Sequence, residues 1–185
     1  MNDVSRRFIT LPNVISGARI VLVAPLLLLF RAQMFVPALV LFLVSAATDW
    51  LDGAIARRWN MQSEFGRVLD PLADKVTFIT LIVVLSRDVL ASAPIMILVI
   101  AELILLIMGT CRYMYPKWRP WIMLGANRYG KIKTCCETLL VTLLIIRYLS
   151  AVPAWYPLVL YAVLTLCIVF ALKSIMRHIH SKPLR

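Results

Sequence analysis

The sequence predicts an all-α, polytopic membrane protein with six transmembrane helices. Hydrophobic residues occupy 62% of the 185 positions, and the mean hydropathy is +0.87. A soluble domain of this length would be about 45–50% apolar. Several segments also approach the roughly 20 apolar residues that a helix needs to cross a bilayer. We therefore expect a single membrane domain over residues 1–185, embedded in a lipid bilayer.

Six apolar segments follow one another along the chain, and each is expected to form one spanning helix. They are 14–33, 35–56, 69–87, 93–114, 131–149 and 154–174. The first is long and lacks a small-residue cleavage site, so we expect mature structure rather than a signal peptide. Before it, VSRRFITLPN mixes arginines with apolar residues, which predicts a short N-terminal interfacial helix within residues 1–13. Between spans 4 and 5, YPKWRPWIMLGANRYG is typical of a re-entrant or interfacial connection.

The net charge of +11 follows the alternation of the connections. Of the 20 basic residues, 15 fall on one side of the predicted membrane, and only Arg31, Arg87 and Arg147 fall on the other. The positive-inside rule then places both termini and the 57–68 and 115–130 loops in the cytoplasm. Membrane orientation explains the charge, so no nucleic-acid partner is expected. The expected location is a bacterial cytoplasmic membrane.

Four of the nine acidic residues are concentrated near the end of span 2 and the start of span 3. They are Asp49, Asp52, Asp70 and Asp74. The first two are three residues apart and the last two are four apart, so each pair shares one helix face. The connection between these spans is short, so the helices are expected to be antiparallel neighbours whose aspartate pairs face each other near the cytoplasmic end.

Four carboxylates in this position need compensating charge. Each aspartate at a membrane helix centre costs about 2.5–3.5 kcal/mol on insertion scales. Arg57 and Lys75 are available, although Lys75 projects about 100° around the helix from Asp74. Divalent cations are the other compensation, because hard cations prefer carboxylate oxygens. A pair of ions about 3.5–4 Å apart would form a clamp for phosphoryl displacement. Ordinary salt bridges at loop ends are the simpler alternative.

The aspartates belong to a longer pattern, Asp49-x₂-Asp52-Gly53-x₂-Ala56-Arg57-x₈-Gly66-x₃-Asp70-x₃-Asp74. This pattern resembles the signature of the CDP-alcohol phosphotransferases, which are integral-membrane enzymes of phospholipid synthesis with six spans. The resemblance implies that the four aspartates hold two divalent ions, Mg²⁺ or Mn²⁺, and that Asp74 is the general base. It also implies contacts to CDP-diacylglycerol, release of CMP and a homodimer. The implied contacts to CDP-diacylglycerol are Asn13, Gly53, Ala56, Arg57, Ser63 and Gly66.

The prediction of the acceptor alcohol rests on a second motif, GKIKT, at the start of span 5. Lys131 and Lys133 of this motif, with Arg112 at the end of span 4, are expected to bind an acceptor phosphate. The motif is similar to one in phosphatidylglycerophosphate synthases, which implies glycerol 3-phosphate as acceptor. Span 4 departs from that subfamily, because Glu102 lacks the arginine that commonly precedes the acidic residue. Phosphatidylglycerol, giving cardiolipin, and inositol phosphate therefore remain alternative acceptors.

Glu102 needs a partner within the membrane, and Arg19 in span 1 matches it in depth. Two other functional classes also remain open. Intramembrane carboxylates are found in small cation transporters, but confinement of the aspartates to one membrane side disfavours an ion path. A non-catalytic scaffold is disfavoured because all four aspartates are present.

Overall fold

The structure is a computed structural model that describes residues 11–58, 66–114, 128–149 and 151–180, with side chains over 16–48, 69–111, 129–149 and 151–177. Within these ranges the chain forms six α-helices and no strand, which confirms the prediction of an all-α chain. The helices are α1 Leu11–Arg31, α2 Phe35–Arg58, α3 Gly66–Leu85, α4 Ser92–Met114, α5 Arg128–Ile146 and α6 Tyr156–His180. Each overlaps one of the six apolar segments, with ends displaced by less than two turns.

Two parts of the predicted organisation lie wholly or largely outside the described residues. The interfacial helix was expected within residues 1–13, and the described chain begins with α1 at Leu11. Most of the connection between spans 4 and 5 falls in 115–127. Its last residues, from Arg128 onward, belong to α5. The GKIKT motif therefore lies within a helix, in the first two turns of α5.

The chain divides into two compact units, Met1–Thr80 and Leu81–Arg185. In the first, α1 packs against α2. The turn between them is closed by backbone hydrogen bonds from Met34 to Leu29 and from Gln33 to Phe30, at 2.9 and 3.0 Å. This is a Schellman arrangement, in which the residue after the helix adopts the left-handed conformation. Gln33 takes that conformation here, with φ 57°, so α1 ends in a tight hairpin.

In the second unit, α6 packs against both α4 and α5. The packed side chains include Leu98, Leu144, Leu160 and Leu164. Tyrosine hydroxyls satisfy backbone groups near the helix ends. Tyr156 donates to the carbonyl of Leu143 at 2.7 Å, which fixes the start of α6 beside the end of α5. The two helices are therefore antiparallel.

Large apolar side chains cover the outer faces of several helices. On α2, Val36, Val40 and Val44 follow one another at one-turn intervals and all are exposed. Ile97 and Ile107 on α4 are also more than half exposed. Extended apolar surfaces of this kind are typical of contact with lipid or with a partner.

Two helices, among the residues that the structure describes, are long and apolar enough to cross a membrane. They are Ser92–Cys111 of α4 and Tyr156–Arg177 of α6, each with a mean hydropathy of 2.4. Together with the apolar outer faces, these two candidate spans indicate a membrane protein.

Replacing Leu160 with alanine is expected to destabilise the second unit, because this side chain is fully buried between helices. The lost packing should lower the free energy of unfolding by roughly 2 kcal/mol or more. Leu158, two residues earlier, is 73% exposed, so Leu158→Ala should change stability by less than about 0.5 kcal/mol. Thermal unfolding of both variants in one detergent measures the difference. Equal losses would contradict the assignment of Leu160 to the core.

Candidate active site

Two of the four predicted metal-binding aspartates lie on α3, one helical turn apart. Asp70 and Asp74 are separated by four residues, so their side chains share one face of the helix. Asp70 is exposed, and 35% of the Asp74 side chain is exposed. Both carboxylates are therefore accessible to a ligand.

Asp70 receives a hydrogen bond from a neighbouring helix. The hydroxyl of Ser16, on α1, donates to Oδ1 of Asp70. Arg19, one turn further along α1, interacts electrostatically with the same carboxylate. Ser16 and Arg19 are both buried, in a helix that is otherwise mostly apolar. Ser16 was not among the predicted site residues. The sequence pattern that could have indicated Ser16 is a serine and an arginine three residues apart within an apolar span.

Asp74 is paired with the next residue in the chain. Nζ of Lys75 lies 3.2 Å from Oδ2 of Asp74, and the lysine side chain is only 9% exposed. Successive helical residues project about 100° apart, which had argued against this pair. The long lysine stem spans that angle. The pairing neutralises part of the charge on α3.

The other predicted site residues are described only in part. Asp49, Asp52, Gly53, Ala56 and Arg57 all lie within α2, but their side chains fall outside the described ones. The same holds for Asn13 in α1 and for Arg112 in α4, whereas Gly66 is the first residue of α3. Ser63 lies outside the described residues altogether. The proposed contacts of this group to metal and nucleotide therefore stay predictions.

The second unit contains a buried cluster of one lysine and two glutamates. Nζ of Lys133, on α5, donates to both carboxylate oxygens of Glu102 on α4, at 2.8 and 2.6 Å. The same ammonium lies 3.1 Å from Oε1 of Glu137, one turn further along α5. All three residues are at least 96% buried. Charges buried this deeply persist only when paired, so the lysine ties α4 to α5.

The two lysines of the GKIKT motif have different surroundings, because only Lys133 belongs to this cluster. Lys131 is exposed, whereas Lys133 is 4% exposed and held between two carboxylates. Glu102, for which Arg19 had been suggested, thus has Lys133 as a partner. Of the two lysines expected to bind an acceptor phosphate, Lys131 is the one that can reach solvent directly.

The donor set on α3 suits a hard divalent cation. Carboxylate oxygens are the ligands that Mg²⁺ and Mn²⁺ prefer, and both carboxylates are partly exposed. The hydrogen bond from Ser16 orients Asp70, as groups around metal ligands commonly do. The described side chains contain no group of three or more potential metal ligands, and they leave out Asp49 and Asp52. Asp70 and Asp74 thus have the chemistry that the predicted metal requires, and α2 is expected to supply the remaining ligands.

Comparison with known proteins gives one family. The family model described as CDP-alcohol phosphatidyltransferase matches residues 9–175. A CDP-diacylglycerol–glycerol-3-phosphate 3-phosphatidyltransferase of Bacillus subtilis (strain 168) is 30% identical over 160 residues, 75% of this chain and 78% of the relative. A protein of the same name from Escherichia coli (strain K12) is 43% identical over 70 residues, 36% of this chain and 38% of the relative. A CMP-forming cardiolipin synthase of Streptomyces coelicolor is 38% identical over 109 residues, 55% of this chain and 51% of the relative.

Removing the ammonium at position 133 is expected to be strongly destabilising. Lys133→Met leaves Glu102 and Glu137 buried without the lysine that contacts both, which should lower the free energy of unfolding by about 3–5 kcal/mol. Lys131→Met, at an exposed position of the same motif, should lower it by less than about 0.5 kcal/mol. Thermal unfolding in detergent measures both.

A triple variant, Glu102→Leu with Lys133→Met and Glu137→Leu, tests whether the loss comes from unpaired charge. Replacing all three members by apolar residues of similar size should recover most of the stability. If the triple variant were as unstable as Lys133→Met alone, the loss would come from packing and not from charge.

Proposed function

The chain belongs to the CDP-alcohol phosphatidyltransferase family, and on that premise we propose that it transfers a phosphatidyl group from CDP-diacylglycerol to a hydroxyl of glycerol 3-phosphate, releasing CMP. Relatives named for this reaction match across three quarters of the chain or over shorter segments. The structural observation that supports the proposal most is the pair of partly exposed carboxylates on α3, which Ser16 and Lys75 contact. Family membership favours this reaction over a cation transporter or a scaffold.

The chemistry assigns each described residue a task. Asp74 accepts the proton of the acceptor hydroxyl, whose oxygen then attacks the phosphorus of the phosphatidyl group. The bond from that phosphorus to the oxygen of CMP breaks as the new ester bond forms, so CMP leaves with the electron pair. Asp70 serves as a metal ligand, and Ser16 holds its carboxylate in place. Two bound Mg²⁺ or Mn²⁺ ions would supply charge neutralisation for the diphosphate. Asp49, Asp52 and Asp74 are proposed as the remaining ligands.

The nucleotide and the acceptor are assigned to other groups. Asn13, Gly53, Ala56, Arg57, Ser63 and Gly66 are proposed to contact CDP-diacylglycerol. For the acceptor phosphate we propose Lys131 and Arg112 as the direct contacts. Lys131 is exposed, and the pairing of Lys133 with two glutamates favours an indirect role for that residue. The match to a CMP-forming cardiolipin synthase supports a second candidate, in which phosphatidylglycerol is the acceptor.

The proposed setting is a bacterial cytoplasmic membrane, crossed six times, with both termini and the active site on the cytoplasmic side and two copies forming a homodimer. The apolar outer faces and two candidate spans support membrane embedding. The acyl chains of CDP-diacylglycerol would then stay in the bilayer while its headgroup reaches the carboxylates. This geometry requires a site near the end of a spanning helix; Asp70 and Asp74 lie in the first three turns of α3, which supports the proposal.

Purified protein with Mg²⁺ or Mn²⁺ is expected to release CMP from CDP-diacylglycerol only when an acceptor is present. Glycerol 3-phosphate should support the fastest release in a panel that also contains phosphatidylglycerol, inositol phosphate and serine. Chelation of the divalent ion should abolish release. Asp74→Asn should lose turnover by about a hundredfold or more, because the general base is gone, while still binding CDP-diacylglycerol.

The matched control is Asp88→Asn, an exposed aspartate in the connection after α3, which should keep normal turnover. No CMP release with any acceptor would refute phosphatidyl transfer. Faster release with phosphatidylglycerol than with glycerol 3-phosphate would select the second candidate. Normal turnover in Asp74→Asn would exclude that residue as the base.

Ser16→Ala is expected to weaken Mn²⁺ binding and turnover by about 10–100-fold, because it removes the hydroxyl that orients Asp70. Ser16→Thr, which keeps the hydroxyl, should restore most of the loss. Thr165→Val is the control, because the Thr165 hydroxyl donates only to the Tyr161 carbonyl of its own helix, at 2.8 Å. The Mn²⁺ concentration that gives half-maximal CMP release measures the effect. An unchanged value in Ser16→Ala would remove Ser16 from the site.

A further inference from the structure

Two basic side chains of α6 converge on one aromatic ring of α5. Nζ of Lys173 lies 5.9 Å, and Cζ of Arg177 5.8 Å, from the centroid of the Tyr129 ring. Phe170 stacks on Tyr129 with centroids 6.4 Å apart, and Nζ of Lys173 also lies 6.0 Å from the Phe170 centroid. These four residues, Tyr129, Phe170, Lys173 and Arg177, form what we call the basic-aromatic cluster.

The cluster lies at the end of a candidate membrane span. The apolar stretch of α6 runs from Tyr156 to Arg177, and a helix of this length extends about 33 Å. The hydrocarbon core of a bilayer is about 30 Å thick. Lys173 and Arg177, in the last turn and a half of the stretch, therefore fall at the level of the lipid headgroups. Trp155, just before the opposite end, is exposed, as is usual for an aromatic residue at a membrane interface.

The outer surface of α6 changes from apolar to basic within one helical turn. Val169 and Leu172 are exposed, and Lys173 and Arg177, which follow them, are exposed as well. Val169, Lys173 and Arg177 are spaced four residues apart and so share one face. A ligand on this face meets hydrocarbon on one side and positive charge on the other. A free anion satisfies only the basic half of such a surface, whereas a phospholipid satisfies both.

The electrostatics of the cluster favour an anion. Two like charges one turn apart on a helix repel each other. The π face of Tyr129 attracts both cations, which holds them together on one ring. A phosphate between them would add the opposite charge that this arrangement favours, and basic pockets between helices on the cytoplasmic side are known to take anionic lipid headgroups.

We propose that the basic-aromatic cluster binds the headgroup phosphate of an anionic phospholipid, with an acyl chain along Val169 and Leu172. The inference goes beyond phosphatidyl transfer. None of the four residues takes part in the proposed reaction, and lipid retention is independent of turnover. The site gives the protein a preference for anionic lipid over zwitterionic lipid in its immediate surroundings.

Native mass spectrometry of the full-length protein tests the proposal. The protein in detergent is mixed with equal amounts of phosphatidylglycerol and phosphatidylcholine that carry identical acyl chains, and the retained lipids are counted. Wild-type protein should retain phosphatidylglycerol in preference to phosphatidylcholine. The double variant Lys173→Gln/Arg177→Gln should bind phosphatidylglycerol at least about tenfold more weakly than the wild type, and its retention of phosphatidylcholine should be unchanged.

Two further variants make the result specific. Arg147→Gln removes a cation that also lies over a tyrosine, 6.0 Å from the Tyr148 ring centroid, at the opposite end of α5, and it should retain lipid normally. The charge-preserving double variant Lys173→Arg/Arg177→Lys should also behave as wild type. Thermal unfolding of every variant establishes that the fold is intact.

Three outcomes would overturn the proposal. The first is an unchanged phosphatidylglycerol preference in the double glutamine variant with an intact fold. The second is an equal loss in Arg147→Gln, which would make the effect one of general charge. The third is displacement of the lipid by millimolar inorganic phosphate, which would make the cluster a simple anion site.

Discussion

Charged side chains within apolar helices are the constraint on which this structure depends, because hydrocarbon does not solvate an ion. The chain meets the constraint in two different ways. In the second unit, Lys133 contacts Glu102 and Glu137 at 2.6–3.1 Å, and all three are almost fully buried. In the first unit, Asp70 and Asp74 have Ser16 and Lys75 as partners but keep access to their surroundings. One arrangement encloses its charge, and the other leaves it available.

This difference in exposure decides what each cluster can do. Three enclosed charges stabilise the contact between α4 and α5 and offer little to a ligand, because a ligand would have to break ion pairs that are already short. Carboxylates that remain accessible can take a cation and can accept a proton from an acceptor hydroxyl. The reaction chemistry is therefore expected on α2 and α3, while the charges between α4 and α5 fix the framework. A family of enzymes that handle lipid diphosphates needs both, since the reacting headgroup is highly charged and the surroundings are apolar.

Much of the fold could be predicted from the sequence, because long apolar runs fix the number and extent of the helices with little interference from tertiary context. Helices α1 to α6 each coincide with a predicted segment. The aspartate spacing likewise predicted that Asp70 and Asp74 share a face. Side-chain partners were harder to predict. The contacts from Ser16 to Asp70 and from Lys133 to Glu102 join residues 54 and 31 positions apart in the sequence. A single sequence carries no direct signal for contacts between residues so far apart along the chain. The Lys75–Asp74 pair was considered and discounted on helix geometry, which alone ignores the reach of a flexible lysine.

The GKIKT motif shows how far a motif can be interpreted without its packing. Its two lysines have the same charge and nearly the same position in the sequence, and the acceptor phosphate was assigned to both. Residues two apart on a helix project about 200° apart, so when one points into the bundle the other must point away from that contact. The structure has Lys133 inside, against two glutamates, and Lys131 outside. If the acceptor is a phosphorylated alcohol, we expect its selection to depend on Lys131, and we expect Glu102 to act through Lys133 and the position of α5. The absence of an arginine before Glu102 is consistent with this arrangement, since Lys133 already supplies that carboxylate with a cation.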